Sequence, residues 1–386
     1  MAEQAVTFSP RELQPVVWER LSRIHQQHHV GTAYLFTGPR GAGKEALVLE
    51  FAALLNCKNP DDTPCGNCSS CHRFRLLQHE NLMLVVPLPV HAKRGSKGST
   101  SLEALDKKDL KNLEAAFQAK ARDRFYKIQL PGANTIPINA IRDLRKTLVL
   151  RSIEKGRKVV VIFDAHLLST QQGESANALL KLLEEPPPAT TLILVTDQRS
   201  EMLPTVCSRC QIVDFPPLEK ALVKKYLEGH GTQSADAQLI ATLAEGDLHL
   251  ARKLMVRSAQ EIYSLIKTLV QQVTTEDASV WRTFIDYYTR LAASDPEEFR
   301  FHIYLLQLWL KEAFALKKER VNHLHLSALQ PELEQFNETF PQADLHRMNL
   351  VLEALLESLA KKLYLPLTLT TVLIDLQAHL GATSSK

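Results

Sequence analysis

Residues 32–45 read T-A-Y-L-F-T-G-P-R-G-A-G-K-E. A short apolar run ends at Gly38, and Gly41 and Gly43 follow before Lys44. Residues 44–56, K-E-A-L-V-L-E-F-A-A-L-L-N, then read as a helix with a broad apolar face. Strand, glycine-rich loop and helix in that order form the setting of a phosphate-binding loop, G-x-x-x-x-G-K-[ST]. In such a loop, backbone N–H groups cradle the phosphates, the lysine reaches the β/γ oxygens and the hydroxyl holds Mg²⁺. Gly38, Gly41 and Gly43 supply the first part and Lys44 the second. The hydroxyl is missing, because its position is Glu45. A carboxylate adds negative charge near triphosphate oxygens, although it could ligate a metal. The expectation is a loop that keeps its shape without competent Mg·ATP hydrolysis.

A working site needs a second strand ending in Asp-Glu, the Asp on Mg²⁺ and the Glu on the attacking water. Residues 158–165, K-V-V-V-I-F-D-A, form the strongest strand signal in the chain but offer one acid. Asp164 either takes the metal side, with Ala165 in the base position, or takes the base position behind Phe163. One acid is lost in both alignments. A strand-end cap is the plain structural alternative for Asp164.

Further apolar runs at 81–87 and 190–197 read as buried strands. Helical patterns cover 16–30, 138–150 and 174–185, the last stopped by Pro186, Pro187 and Pro188. Continuous apolar strands alternating with helices predict an α/β domain with a parallel sheet covered on both faces. After D-F-P-P-L-E (214–219) only helical patterns remain. Three regions follow: an α/β domain over 1–216, a small helical lid over 217–256 and an all-α domain over 257–386. Residues 88–134 read as a polar, basic insertion or lid with a flexible patch, K-R-G-S-K-G-S-T, followed by a helix. Residues 91–128 hold ten Lys/Arg against five Asp/Glu. That excess is either a solvated face or a contact to phosphate backbone.

The chain has 386 residues, 45% hydrophobic and 23% charged, with a net charge of +3. The length calls for two or three domains. The charge is too mild to argue for nucleic acid by itself. No apolar run reaches 18 residues, and the first 25 residues lack an apolar core. The expectation is a cytoplasmic protein without a membrane span or secretory signal.

Four of the six cysteines crowd into C-K-N-P-D-D-T-P-C-G-N-C-S-S-C, residues 57–71. In a cytosolic chain, that crowding argues for a metal rather than disulfides. Cys57, Cys65, Cys68 and Cys71 suit tetrahedral zinc, and four thiolates close the site to catalysis, so the metal would be structural. His72 is adjacent, but four thiolates suffice. Cys207 and Cys210 have the spacing of half a zinc site without a second pair nearby, which favours packing.

A-Y-L-F-T-G-P-R-G-A-G-K, the four-cysteine module, A-N-A-L-L-K-L-L-E-E-P-P (176–187) and S-R-C (208–210) occur in the order found in bacterial clamp loaders. The sequence resembles AAA+ subunits of the DNA polymerase III clamp loader, and most closely the delta-prime subunits. The specific motifs cover about 15–255, and the remainder is compatible with a helical collar. The resemblance implies that Arg209 acts in trans as a finger on a neighbour's ATP; a surface salt bridge is the alternative. It implies that Thr196 stands at the sensor-1 strand end. His249 falls where active members carry the second sensor's arginine, and Arg252 could compensate. It implies gamma/tau and delta subunits, the sliding clamp and primer-template DNA as partners, and membership of a DNA-directed DNA polymerase holoenzyme. Glu184 and Glu185, two acids at a helix C-terminus, oppose the macrodipole and mark either a contact with a neighbouring subunit or a solvated end.

The reading is a subunit with a degenerate ATPase site and doubtful ATP binding, which completes a ring and donates Arg209. An ATP-hydrolysing gamma/tau-type subunit is the alternative. An unrelated nucleotide-binding enzyme with a zinc module, such as a kinase, leaves S-R-C and L-L-E-E-P-P unexplained.

Overall fold

Ala33–Thr37 (β1) is buried at all five positions, the pattern of a strand covered on both faces. Leu82–Val85 (β2), Lys158–Ile162 (β3), Thr190–Thr196 (β4) and Gln211–Asp214 (β5) complete a parallel sheet of order β2-β3-β4-β1-β5. The computed structural model describes residues 8–90, 100–150, 155–318, 324–360 and 364–381. The basic patch read at 93–100 falls almost wholly outside them.

Successive strand residues point to opposite faces, and each face has its own core. Tyr34, Phe36, Val159, Val161 and Ile193 pack with Leu47 and Phe51 of the Lys44–Leu55 helix. Leu35, Val160, Ile162, Leu192 and Leu194 pack with Ile141 of the Ile138–Val149 helix and Leu179 of the Glu174–Glu184 helix. The sequence reading missed β5, which lies beside β1 at the sheet edge. Only Val213 of its four residues is fully buried, so no apolar run announces it.

The segment after β2 closes on itself. Leu88 N–H donates to the Thr135 carbonyl at 3.0 Å in an antiparallel bridge. Between these ends runs the Lys107–Arg122 helix, capped by Asp106, whose side chain accepts from Asp109 N–H. Its Leu113 and Ala116 join the first core. Three short helices, Lys220–Gly229, Ser234–Ala244 and Leu248–Leu254, follow the sheet.

The chain divides into two compact units, residues 1–255 and 256–386. Among its described residues the second unit is all helix. The Pro296–Lys317 helix buries Phe299, Leu305 and Ala313. A polar chain crosses that unit: Arg257 and His302 Nε2 donate to Glu298 at 2.6 and 2.8 Å, and Tyr288 Oη lies 2.9 Å from His302 Nδ1. Burial raises the Glu298 carboxyl, but these donors outweigh it and hold the group down at about 2.

Candidate functional site: a phosphate loop closed by its own lysines

The C-terminal ends of β1, β3 and β4 lie side by side, so Gly38, Asp164 and Thr196 meet at one edge of the sheet. In open α/β sheets ligands bind at this edge. The loop from Gly38 to Gly43 is tightly packed. Gly41 has φ +69°, and a Cβ there would meet Asp247 Oδ1 at 2.0 Å and Leu248 N at 2.5 Å. The Leu248–Leu254 helix therefore docks directly on the loop, and Leu248 N–H donates to the Gly41 carbonyl at 3.2 Å. Gly43, at φ +80°, caps the Lys44–Leu55 helix.

Lys44 is folded back onto this loop. Its ammonium donates to the carbonyls of Gly38 and Pro39 at 2.8 and 2.5 Å. Burial brings it down to about 8. Glu45, one residue on, is 7% exposed and takes two cations from the segment after β2. Lys120 Nζ donates at 2.6 Å and Lys127 Nζ at 2.5 Å. Lys127 also donates to Asp164 at 2.6 Å. Burial alone would raise the Glu45 carboxyl, but the two ammoniums outweigh it and hold it well below the usual range. Burial likewise works against Lys127, and its two carboxylates push it above its ordinary value. Lys120, fully enclosed, is lowered by burial with Glu45 opposing.

The geometry gives Glu45 a definite place. In a competent loop, the hydroxyl at this position and the acid at the end of the second strand bracket Mg²⁺. Here an ammonium lies between residue 45 and Asp164. The cavity left among these residues is about 30 Å³, room for a few water molecules.

The remaining residues around the loop are occupied. Thr196 Oγ1 lies 3.0 Å from His166 Nδ1 and accepts from Gln198 N–H at 3.0 Å. His249 lines the cavity, and burial lowers it to about 3, so it carries no charge there at neutral pH. Arg252 pairs with Asp123 and is not among the residues lining the cavity. Sequence reasoning missed Lys120 and Lys127, which it assigned to a solvated or DNA-facing insertion. The available signal was Glu45 itself, since an acid buried at a helix start needs a cation.

Arg209 stands apart from this site. Its Nε and Nη2 both donate to Glu184 Oε1, at 3.0 and 2.7 Å, and Nη1 donates to the Thr205 carbonyl at 2.9 Å. The side chain is 36% exposed. Two sequence features thus meet in one ion pair: the arginine of S-R-C and the acidic end of L-L-E-E-P-P. Glu185 remains exposed at the helix end.

The four clustered cysteines also converge. The sulfurs of Cys57, Cys65, Cys68 and Cys71 all lie within 4.8 Å of one another, and Cys65 Sγ is 3.9 Å from Cys71 Sγ. A tetrahedral Zn–S bond of about 2.3 Å requires S···S near 3.8 Å, so the set fits a metal ion. Cys65 N–H donates to Cys57 Sγ and Cys71 N–H to Cys68 Sγ, a pattern that favours thiolates. His72 turns its Nδ1 to Arg75 instead. Cys207 and Cys210 pack against the second core, and burial pushes the Cys210 thiol up to about 12.

Residues 13–219 match the family described as "DNA polymerase III, delta subunit". The chain is 28% identical over 273 residues to DNA polymerase III subunit tau of Bacillus subtilis (strain 168), covering 66% of the chain and 39% of that protein. It is 26% identical over 232 residues to subunit delta' of the same organism, covering 60% and 56%. It is 26% identical over 330 residues to subunit delta' of Escherichia coli (strain K12), covering 81% and 83%. The chain thus spans about two fifths and just over half of the two Bacillus relatives. The family match covers more than half of the chain, and by it the chain belongs to the DNA polymerase III delta-subunit family, with delta' subunits among its relatives.

Proposed function

We propose that this chain is a delta-prime-type AAA+ subunit of the DNA polymerase III clamp loader, built to support ATP turnover elsewhere rather than to perform it. The observation that carries the reading is Lys127, whose ammonium joins Glu45 to Asp164 where a metal would sit. Lys44 keeps the loop folded by holding its carbonyls. Lys120 and Lys127 neutralise Glu45, and Lys127 takes the place of the metal, so the chain's own cations do there what Mg²⁺ does in a motor subunit. Gly38, Gly41, Gly43, Asp164 and Thr196 then form a structural remnant of a nucleotide site. In this reading 217–256 is the lid, 257–386 the collar, and Cys57, Cys65, Cys68 and Cys71 hold structural zinc. The partners are gamma/tau and delta subunits in a ring, the sliding clamp and primer-template DNA, in the cytoplasm.

Titration of the purified chain with Mg·ATP tests this directly. No saturable binding up to millimolar ATP and no turnover above background are expected. Turnover abolished by Lys44→Ala would instead establish the gamma/tau-type alternative, which the tau similarity favours.

Arg209 takes the role of a finger in trans. Its pair with Glu184 is half-exposed and worth at most about 1 kcal/mol, so the guanidinium leaves it at little cost. In the assembled loader it would stabilise charge on a neighbour's γ-phosphate. Arg209→Ala is expected to melt with the parent chain and to lower the DNA-stimulated ATPase of the reconstituted complex by at least about 100-fold if the chemical step limits turnover. Unchanged turnover in that complex would leave Arg209 as a surface ion pair.

A further inference from the structure

Packing does not exhaust Cys207 and Cys210, which flank Ser208 and Arg209. Cys207 ends the short Pro204–Cys207 helix, and Cys210 immediately precedes β5. The backbone there makes successive i→i+3 hydrogen bonds. Arg209 N–H donates to the Val206 carbonyl and Cys210 N–H to the Cys207 carbonyl, both at 3.2 Å. In such a 3₁₀ turn the side chains of residues i and i+3 eclipse. Cys207 and Cys210 accordingly pack on the same core, and both thiols are free and only half-buried.

The two thiols also feel each other. Burial first, and the Cys207 charge second, push the Cys210 thiol up. A closed turn keeps the Cα atoms of residues i and i+3 within about 7 Å, and a disulfide needs about 4.4–6.8 Å. Among the described residues no third His, Cys, Asp or Glu converges with this pair, which leaves a metal too few ligands.

We propose that Cys207 and Cys210 are a modification site, at which a small-molecule disulfide such as oxidised glutathione converts the two thiols of the free chain into a reversible intrachain disulfide that clamps the turn carrying Arg209. The Cys207 thiolate attacks one sulfur of glutathione disulfide, a mixed disulfide forms, and one glutathione thiolate leaves. Cys207 then carries no charge, so one of the two causes that raise Cys210 is gone. The Cys210 thiol gives its proton to solvent, its thiolate attacks Cys207 Sγ, and the second glutathione thiolate leaves. Two protein thiols are oxidised and one glutathione disulfide is reduced to two thiols. Excess reduced glutathione runs the sequence backwards.

The crosslink closes residues 207–210 alone, so its effect is local. The far end of this segment is already fixed, because Gln211 pairs with Tyr34 of β1. Ser208 Oγ and Arg209 Nη1 both donate to the Thr205 carbonyl, at 3.2 and 2.9 Å. The clamped turn is therefore the one that holds the guanidinium beside Glu184, and oxidation keeps Arg209 in that resting pair. The consequence for ATP turnover rests on the finger role proposed above.

The full chain is incubated with glutathione disulfide, and peptide mapping locates the bond. A Cys207–Cys210 linkage that reduced glutathione removes is expected, with exchange of the Ser208, Arg209 and Cys210 amides slowed at least about tenfold. The oxidised chain, freed of oxidant, is then assembled into the loader. Its DNA-stimulated ATPase is expected to fall at least about threefold and to recover with reduced glutathione, whereas Cys207→Ser treated in the same way keeps full turnover. Glutathione adducts that persist on either cysteine, or a Cys207–Cys210 bond that leaves the turn amides unchanged, would overturn the proposal. So would turnover that oxidation leaves unchanged while Arg209→Ala lowers it. If Arg209→Ala itself changes nothing while the bond forms and the amides slow, the finger reading falls and the modification site stands.

Discussion

Glu45→Ala is expected to lower the unfolding free energy by about 3–5 kcal/mol at pH 7, because it removes one partner from a buried ion network. The damage centres on Lys120, which has no exposed surface. Without Glu45 its ammonium keeps the Tyr126 carbonyl at 2.7 Å and the face of Phe163 at 5.3 Å, neither of which carries a compensating charge. Lys127 suffers less, since it retains Asp164. Urea unfolding reads the difference. Glu45→Leu/Lys120→Met, which swaps charges for apolar groups of similar length, is expected to recover most of it, as replacing a buried pair by well-packed hydrophobes is often neutral. A cost below about 1 kcal/mol for Glu45→Ala would mean that the network is solvated, like a surface pair.

The pH dependence of that effect follows from the direction of the shift. The folded-state Glu45 carboxyl titrates below its ordinary value of 4.5. Its contribution is therefore complete above that value and is lost as pH falls through the folded-state one. The gap between the parent chain and Glu45→Ala should be constant from about pH 7 to pH 5 and should narrow progressively below about pH 4. A gap that widens on acidification would contradict a carboxylate held by lysines.

How much of this was legible in the sequence differs from one element to the next. β1, β3 and β4 are fully or almost fully buried runs, and a parallel strand covered on both faces writes itself as an unbroken apolar stretch. The Lys44–Leu55 helix was legible from the loop before it. β5 was not, since an edge strand with one fully buried residue has no such stretch. Within the site, Gly38, Gly41, Gly43, Lys44 and Asp164 could be named because each is fixed by its distance from a strand end, and Thr196 through the family resemblance. Lys120 and Lys127 could not. They lie 75 and 82 residues from Glu45, and only the folding-back of the segment pinned at Leu88 and Thr135 brings them there. In the sequence they were two among ten basic residues. Arg209 was legible as a motif, but its resting partner Glu184 is a tertiary fact.

The second large effect concerns the cysteines. Cys65→Ser/Cys68→Ser is expected to reduce bound zinc from about one atom per chain to none, since four thiolates for one tetrahedral ion leave no reserve ligand. His72 cannot easily substitute, because its ring is engaged with Arg75 at 2.9 Å. The structural consequence should be local. Cys68 caps the Ser69–Arg75 helix, its sulfur accepting from Cys71 N–H, and Cys71 and Phe74 pack inward from that helix. Phe74 belongs to the core that contains Phe51, so loss of the metal releases a seven-residue helix too short to persist alone. Structural zinc in small modules carries an apparent binding free energy of about 10–16 kcal/mol at pH 7, enough to hold that helix and its turns together. Metal analysis, with amide exchange over 57–75, checks both parts. Exchange should rise at least tenfold there and stay unchanged in β1, β3 and β4. Full zinc retention in the double variant, or exchange that rises equally across the sheet, would show that the cluster is not a self-contained metal module.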